Sequence, residues 1–144
     1  MQRVLGDNLK GKGGDVATSS LSGQNIPVLL YFSAHWCPPC RQFTPVLAAL
    51  YNEVNASGKQ FEVVFVSFDR DESQFNDYYG TMPWLSVPYG SVQIREAAGQ
   101  SFGVSGIPSL ILINRDGGAV HKGGREDVMS SGPAAIEKWR KMLA

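Results

Sequence analysis

Cysteine is scarce in this chain: two in 144 residues, Cys37 and Cys40, with two residues between them. A secreted disulfide scaffold would carry more, spread along the sequence. A bond between these two would close a tiny loop and remove little entropy from the unfolded chain, so stability is a poor reason for the pair. An excess of charge is also missing. Thirteen basic side chains balance thirteen acidic ones, leaving no net field to draw nucleic acid or an anionic membrane. Long apolar runs are absent too, since the longest, Pro27 to Phe32, falls far short of the ~20 residues that span a bilayer. Met1 to Lys12 is rich in glycine and charge and has no apolar h-region, so a cytoplasmic or nuclear location is expected. No repeat or low-complexity linker divides the chain. Its 43% hydrophobic and 18% charged content describes a soluble globular protein of one-domain size, expected to be a monomer.

Residues 1–25 read as an irregular N-terminal extension, with a short edge strand or hairpin around Asp15 to Leu21; residues 26–144 read as the domain proper. Val28 to Phe32 is a continuous apolar run, as in a strand buried on both faces. After the cysteines, Phe43, Val46, Leu47, Leu50 and Val54 fall at helical spacing. Phe61 to Phe68 is a second buried strand, so the first half is a βαβ crossover with parallel pairing. Asp71 to Tyr79 forms a short helix stopped by Gly80, and Met82 to Tyr89, twice interrupted by proline, an irregular apolar loop. Ser91 to Ala98 suits another helix and Ser109 to Ile113 a third strand. Asp116-Gly117-Gly118 turns the chain into a fourth strand, and Ile136, Trp139 and Leu143 mark a last helix after Pro133. The order β-α-β-α-α-β-β-α implies an α/β fold: one mixed central sheet flanked by helices on both faces.

The chemistry lies at Cys37 and Cys40. Cys37 stands where a buried strand gives way to a helix, facing the unpaired N–H groups and the positive end of the helix dipole, which favour thiolate over thiol. Cys40, one turn further on, is placed to displace whatever Cys37 captures. Cys37 is therefore read as the nucleophile and Cys40 as the resolving thiol. Pro38 and Pro39 are tolerated where helix donors are already orphaned. They stiffen the ring and remove two N–H donors, effects of opposite sign on the reduction potential. A zinc half-site would need two more ligands. Only His35 and His121 are available, and His35 is too near in sequence, so no metal is expected.

Tyr31 to Arg41, with Trp36-Cys37-Pro38-Pro39-Cys40-Arg41 at its heart, resembles the active-site segment of the thioredoxin superfamily and is similar to its tryparedoxin and nucleoredoxin branch. Phe43 to Leu47, Phe61 to Asp69, Met82 to Leu85, Val87 to Tyr89, Phe102 to Val104 and Gly106 to Leu110 extend the likeness over roughly residues 26–128. The resemblance implies a thioredoxin fold and a thiol–disulfide oxidoreductase that reduces disulfide-containing proteins. No bound cofactor is implied. The Cys37–Cys40 disulfide carries the electrons, and a reductase or a low-molecular-weight dithiol supplies them. Trp36 matches the tryptophan that shields the pair, and Arg41 ends the motif. Ile107-Pro108 matches a loop with a cis proline beside the disulfide, where the Ile107 backbone can pair with a partner peptide. Gly124-Arg125 resembles a segment at the rim, so Arg125 is either a contact for acidic partners or a solvated surface residue. Thioredoxins carry a buried aspartate where this chain has Tyr31, so proton transfer must use water or another group; Asp69, Asp71 and Glu72 are the candidates, with helix capping as the plainer reading.

His35 either favours a thiolate when protonated or projects into solvent. Trp84 and Tyr89 either line a partner groove or plug the core. His121 reads as a surface strand residue and Trp139 as packing. Two functional classes remain open: a reductase of protein disulfides, or a redox-sensitive regulator of nucleoredoxin type that binds partners and uses the cysteine pair as a switch. A thiol peroxidase is disfavoured because Ala34 stands where peroxiredoxins have a threonine.

Overall fold

A computed structural model of the chain describes residues 1–23 and 25–144. Gln24, within the expected extension, lies outside them. In chain order the elements are α1 (Gln2–Leu5), β1 (Asn8–Gly11), β2 (Gly14–Ala17), α2 (Ser19–Ser22), β3 (Val28–Ser33), α3 (Pro38–Val54), β4 (Glu62–Ser67) and α4 (Glu72–Tyr79). They continue with β5 (Leu85–Ser86), α5 (Val92–Ser101), β6 (Ser109–Ile113), β7 (Ala119–His121), α6 (Gly124–Ser131) and α7 (Ala134–Leu143).

The strands form one mixed sheet in the order β2-β1-β5-β4-β3-β6-β7. β3 runs parallel to β4, with Tyr31 opposite Phe65 and Ser33 opposite Ser67, and antiparallel to β6, with Tyr31 opposite Leu110. Every residue of β3 and β4 is buried, as expected for central strands covered on both faces. Strand alternation then sorts the side chains into two cores. Leu29, Tyr31, Val63, Phe65, Leu110 and Leu112 face one, which α3, α4 and α7 close with Phe43, Leu47, Phe75, Tyr78 and Trp139. Leu30, Phe32, Val64, Val66, Ile111 and Ile113 face the other, beneath Ala98 of α5 and Phe102 just after it.

Several expectations need correction. The N-terminal hairpin spans Asn8 to Ala17, and Ser19 to Leu21, placed there by the sequence pattern, belong to helix α2. This region joins the sheet through β1 and β5, and Leu5, Leu9 and Leu21 belong to the second core. The Met82 to Tyr89 loop contains a two-residue strand, β5, between its prolines, paired with both β4 and β1. Helix α6 was not foreseen because its buried residues, Gly124, Asp127 and Val128, show no apolar stripe. Val46 is exposed, and the buried face of α3 runs through Cys40, Phe43, Thr44, Leu47, Leu50 and Tyr51 instead. Gly80 ends α4 in right-handed geometry (φ −58°) rather than in the left-handed cap that glycine usually supplies. Among the described residues no helix is long and apolar enough to cross a membrane.

Candidate active site

The site forms where β3 ends and α3 begins. Cys37 is the N-cap of α3, in extended geometry (φ −101°, ψ 108°), with Pro38 and Pro39 in the first turn. Its sulfur accepts the backbone N–H of Cys40 at 3.4 Å, so the cysteine performs the capping task that serine or aspartate usually fills. The same sulfur lies 3.8 Å from the carbonyl oxygen of Ile107, to which its S–H can donate. The Ile107–Pro108 peptide is cis, as the family resemblance implied. Thus the β6 loop faces the start of α3, and Cys37 lies between them.

The two thiols are free and differ in enclosure. Cys37 is 6% exposed and Cys40 is wholly buried, packed with Ala34, Phe68 and Ile107. The corner is tighter than the sequence suggested, and its small accessible part belongs to Cys37. Burial and the neighbouring Cys37 push the Cys40 thiol up to about 11, so it is protonated at neutral pH.

Trp36 forms an outer wall. It is 40% exposed, its Nε1–H donates to the Phe68 carbonyl (2.9 Å), and the Arg70 guanidinium stacks 4.9 Å from its ring. Arg41, also exposed, shares a pocket of about 270 Å³ with His35, Thr44, Pro45, Tyr78 and Thr81. Pro45 lies inside α3 and has no N–H to offer the Arg41 carbonyl, a break in the helix ladder beside this pocket. Arg125 lies exposed in the first turn of α6. That helix approaches the β6 strand closely: a Cβ at Gly124 would come within 2.7 Å of the Leu110 carbonyl, so only glycine fits.

The three carboxylates proposed for proton transfer have other tasks. Asp69 is buried; its Oδ1 accepts the His35 amide (2.6 Å) and its Oδ2 the Ser67 hydroxyl (2.6 Å), which ties the active-site loop to β4. Asp71 is the N-cap of α4 and accepts the Gln74 amide at 2.8 Å. Glu72 lies exposed in the first turn of that helix, where it favours the dipole. Trp84 is also corrected: at 1% exposure it plugs the core against Tyr31 and Tyr51 and cannot touch a partner. Tyr89 is partly buried, packed on Phe75 and under Arg95. His35 packs edge-on against Tyr78 rather than standing free in solvent. His121 is not a lone surface residue; its Nε2 lies 2.8 Å from the buried Asp127, which also receives Lys138 and Trp139.

Sequence reasoning missed a chain of buried hydroxyls. Tyr31 fills the place of the aspartate found in thioredoxins, and its hydroxyl lies 2.7 Å from Thr44 Oγ1. Thr44 is 2.6 Å from the Tyr78 hydroxyl, which is 2.5 Å from Ser33 Oγ. Burial raises both tyrosines above their ordinary value, so they stay neutral. The signal was present in the sequence as a threonine one turn after Cys40 and a serine ending β3, but only tertiary structure brings Tyr78 between them.

This fold, with a dithiol at the first turn of a helix beside a cis-proline loop, defines a thioredoxin-type oxidoreductase. A family model described as Thioredoxin-like matches residues 25–119. Tryparedoxin of Trypanosoma brucei brucei is 52% identical over 113 residues, covering 78% of this chain and 76% of that protein. Nucleoredoxin of Mus musculus is 41% identical over 127 residues, covering 88% of this chain but only 29% of the longer relative. A solved structure of tryparedoxin from Trypanosoma brucei superposes with a TM-score of 0.83 at 46% identity, covering 92% and 91% of the two chains. A structure of tryparedoxin II complexed with glutathionylspermidine gives 0.79 at 37% identity, covering 89% and 88%. The chain belongs to the thioredoxin-like family, in its tryparedoxin and nucleoredoxin branch.

Proposed function

We propose that the chain reduces disulfides of partner proteins by cycling Cys37 and Cys40 between dithiol and disulfide. The observation that carries this reading is the placement of the Cys37 sulfur, at the N-cap of α3, between the Cys40 amide and the Ile107 carbonyl. The Cys37 thiolate attacks one sulfur of the partner disulfide, forming a mixed disulfide and releasing the other sulfur as a thiolate, which takes a proton from solvent. The Cys40 sulfur, losing its proton, attacks Cys37, and the second partner sulfur leaves. The partner gains two electrons and the chain is left with a Cys37–Cys40 disulfide. An external donor restores the dithiol, with no bound cofactor. A low-molecular-weight dithiol is the favoured donor class, supported by the glutathionylspermidine bound to a relative of the same fold. Trp36 and Arg41 frame the approach, Pro38 and Pro39 fix the turn, and Ile107 and Pro108 present backbone to the partner. Arg125 is assigned to acidic groups of the partner.

A second reading, a redox-sensitive binding module, is supported by the likeness to nucleoredoxin. One experiment separates the two. Insulin disulfide reduction that vanishes in Cys37→Ser, with a mixed disulfide trapped by Cys40→Ser, supports the reductase. Negligible turnover in the wild type, with equal partner binding by both variants, overturns it in favour of the module.

A further inference from the structure

The pocket of about 270 Å³ beside the cysteines plays no part in the dithiol cycle itself. Its place is fixed by Cys37. His35 stands two residues before that cysteine, and Arg41 stands one helical turn after it, its amide donating to the Cys37 carbonyl at 3.1 Å. Thr44 and Pro45 continue the wall along α3, while Tyr78 and Thr81 close it from α4 and the turn beyond. The lining is uneven in charge. Arg41 is exposed and cationic, and none of the residues around the pocket is acidic. Arg95 donates to the Tyr89 and Ser67 carbonyls, Arg115 to Asn25, and Arg140 pairs with Glu137. Among the described residues Arg41 has no such ion pair. The His35 ring packs edge-on against Tyr78, with centroids 5.8 Å apart, and its backbone amide is held by Asp69. It is a fixed wall with at least one ring N–H to offer. The Thr44 and Thr81 hydroxyls are taken up by the Cys40 and Tyr78 carbonyls (3.0 and 2.7 Å), and Pro45 has no N–H. The donors left for a ligand are Arg41 and His35. A guanidinium fork beside an imidazole suits a carboxylate.

We infer that this pocket is a subsite for an acidic side chain of the partner protein, held by Arg41 and His35 while the partner's cysteine is joined to Cys37. This inference rests on the dithiol cycle proposed above. Once the mixed disulfide forms, the partner's cysteine is anchored, and its chain reaches outward by ~3.3–3.6 Å per residue. An Asp or Glu one or two residues away therefore spans the single turn from Cys37 to Arg41. The pocket takes such a side chain with room for water around it. Arg41 stands on α3 and Arg125 on α6, so the two arginines meet different parts of the partner.

The test uses short peptides closed by one disulfide, with Glu placed in turn at each position flanking a cysteine and each peptide matched by its Gln counterpart. The prereduced protein is mixed with each peptide, quenched in acid and resolved by mass, which gives a second-order rate of oxidation. At one position the wild type is expected to react roughly 3- to 10-fold faster with the Glu peptide, the scale of a charge-assisted hydrogen bond at a half-open site. Arg41→Gln brings that ratio to unity, whatever it does to the rate with both peptides. Thr81→Met fills the pocket from its far wall and leaves Arg41 charged. It abolishes the same preference, which a field effect of the charge alone would survive. Arg125→Gln leaves the ratio in place. Equal rates for Glu and Gln at every position in the wild type overturn the subsite. So does a preference that persists in Arg41→Gln or in Thr81→Met, or one that vanishes equally in Arg125→Gln. A wild type oxidised by none of the peptides would defeat the dithiol cycle itself, a result distinct from equal rates.

Discussion

The amide of Cys40 points at the sulfur of Cys37 from 3.4 Å, while the Cys40 side chain lies fully enclosed three residues along the same helix. One cysteine thus keeps a small accessible edge, and the other is enclosed and protonated behind it.

That asymmetry sets the order of modification. Iodoacetamide at neutral pH is expected to label one thiol per molecule, at Cys37, as read by mass of the tryptic peptides. Cys40 is expected to react only as pH approaches about 11, where its raised thiol begins to ionise. Equal labelling of both at neutral pH would contradict the difference.

Trp36 and Arg70 form the outermost feature of the site. An exposed cation–π pair contributes about 0.5–1 kcal/mol, so Arg70→Ala should change stability little. Its effect is expected in Trp36 emission and in KM for a protein disulfide, with kcat nearly unchanged. A fall in kcat alone, with unaltered KM, would remove Arg70 from partner binding.

Trp84 makes a contrast with Trp36. It is enclosed between Tyr31 and Tyr51, so Trp84→Ala opens a core cavity and is expected to cost about 3–5 kcal/mol in denaturant unfolding. Trp36→Ala should cost far less. Similar losses for the two would refute their assignment to core and rim.

Asp127 joins β7, α6 and α7 through His121, Lys138 and Trp139. Burial opposes its ionisation, but hydrogen bonds from Lys138, Trp139 and His121 outweigh burial and hold the carboxyl below its usual range. A carboxyl lowered in the folded state stabilises fully above its unfolded value near 4, and that contribution is lost as pH falls through the folded value. Asp127→Asn should therefore lower Tm at pH 7, and the gap to wild type should narrow below about pH 4. A gap that stays constant from pH 7 to pH 3 would count against an ionised Asp127.

The cysteine corner was legible because its signals are local: an apolar run, Trp36 to Cys40, and a helical stripe all lie within one stretch of chain. β5 was not, because two residues between prolines give no measurable alternation, and only pairing with β4 and β1 makes them a strand. Helix α6 escaped because its inner face rests on Gly124, a satisfied Asp127 and a single apolar residue, Val128, too few to make a stripe. Asp69 and Asp71 sat where carboxylates near a redox pair attract attention, and what they do is hold a loop and cap a helix. The hydroxyl chain was invisible for a different reason. It draws on β3, α3 and α4, and no spacing rule links Ser33 to Tyr78.

The N-terminal hairpin has a consequence for anyone who trims the chain to the part that carries the cysteines. β1 lies along β5, and Leu5, Leu9 and Leu21 lie against the sheet face opposite the hydroxyl chain. A version starting at residue 26 would keep both sulfurs and every group around them. It would also bare the backbone edge of β5 and wet the apolar floor beneath it, leaving an open template for strand-to-strand association between molecules. Such a fragment should lose solubility before it loses chemistry.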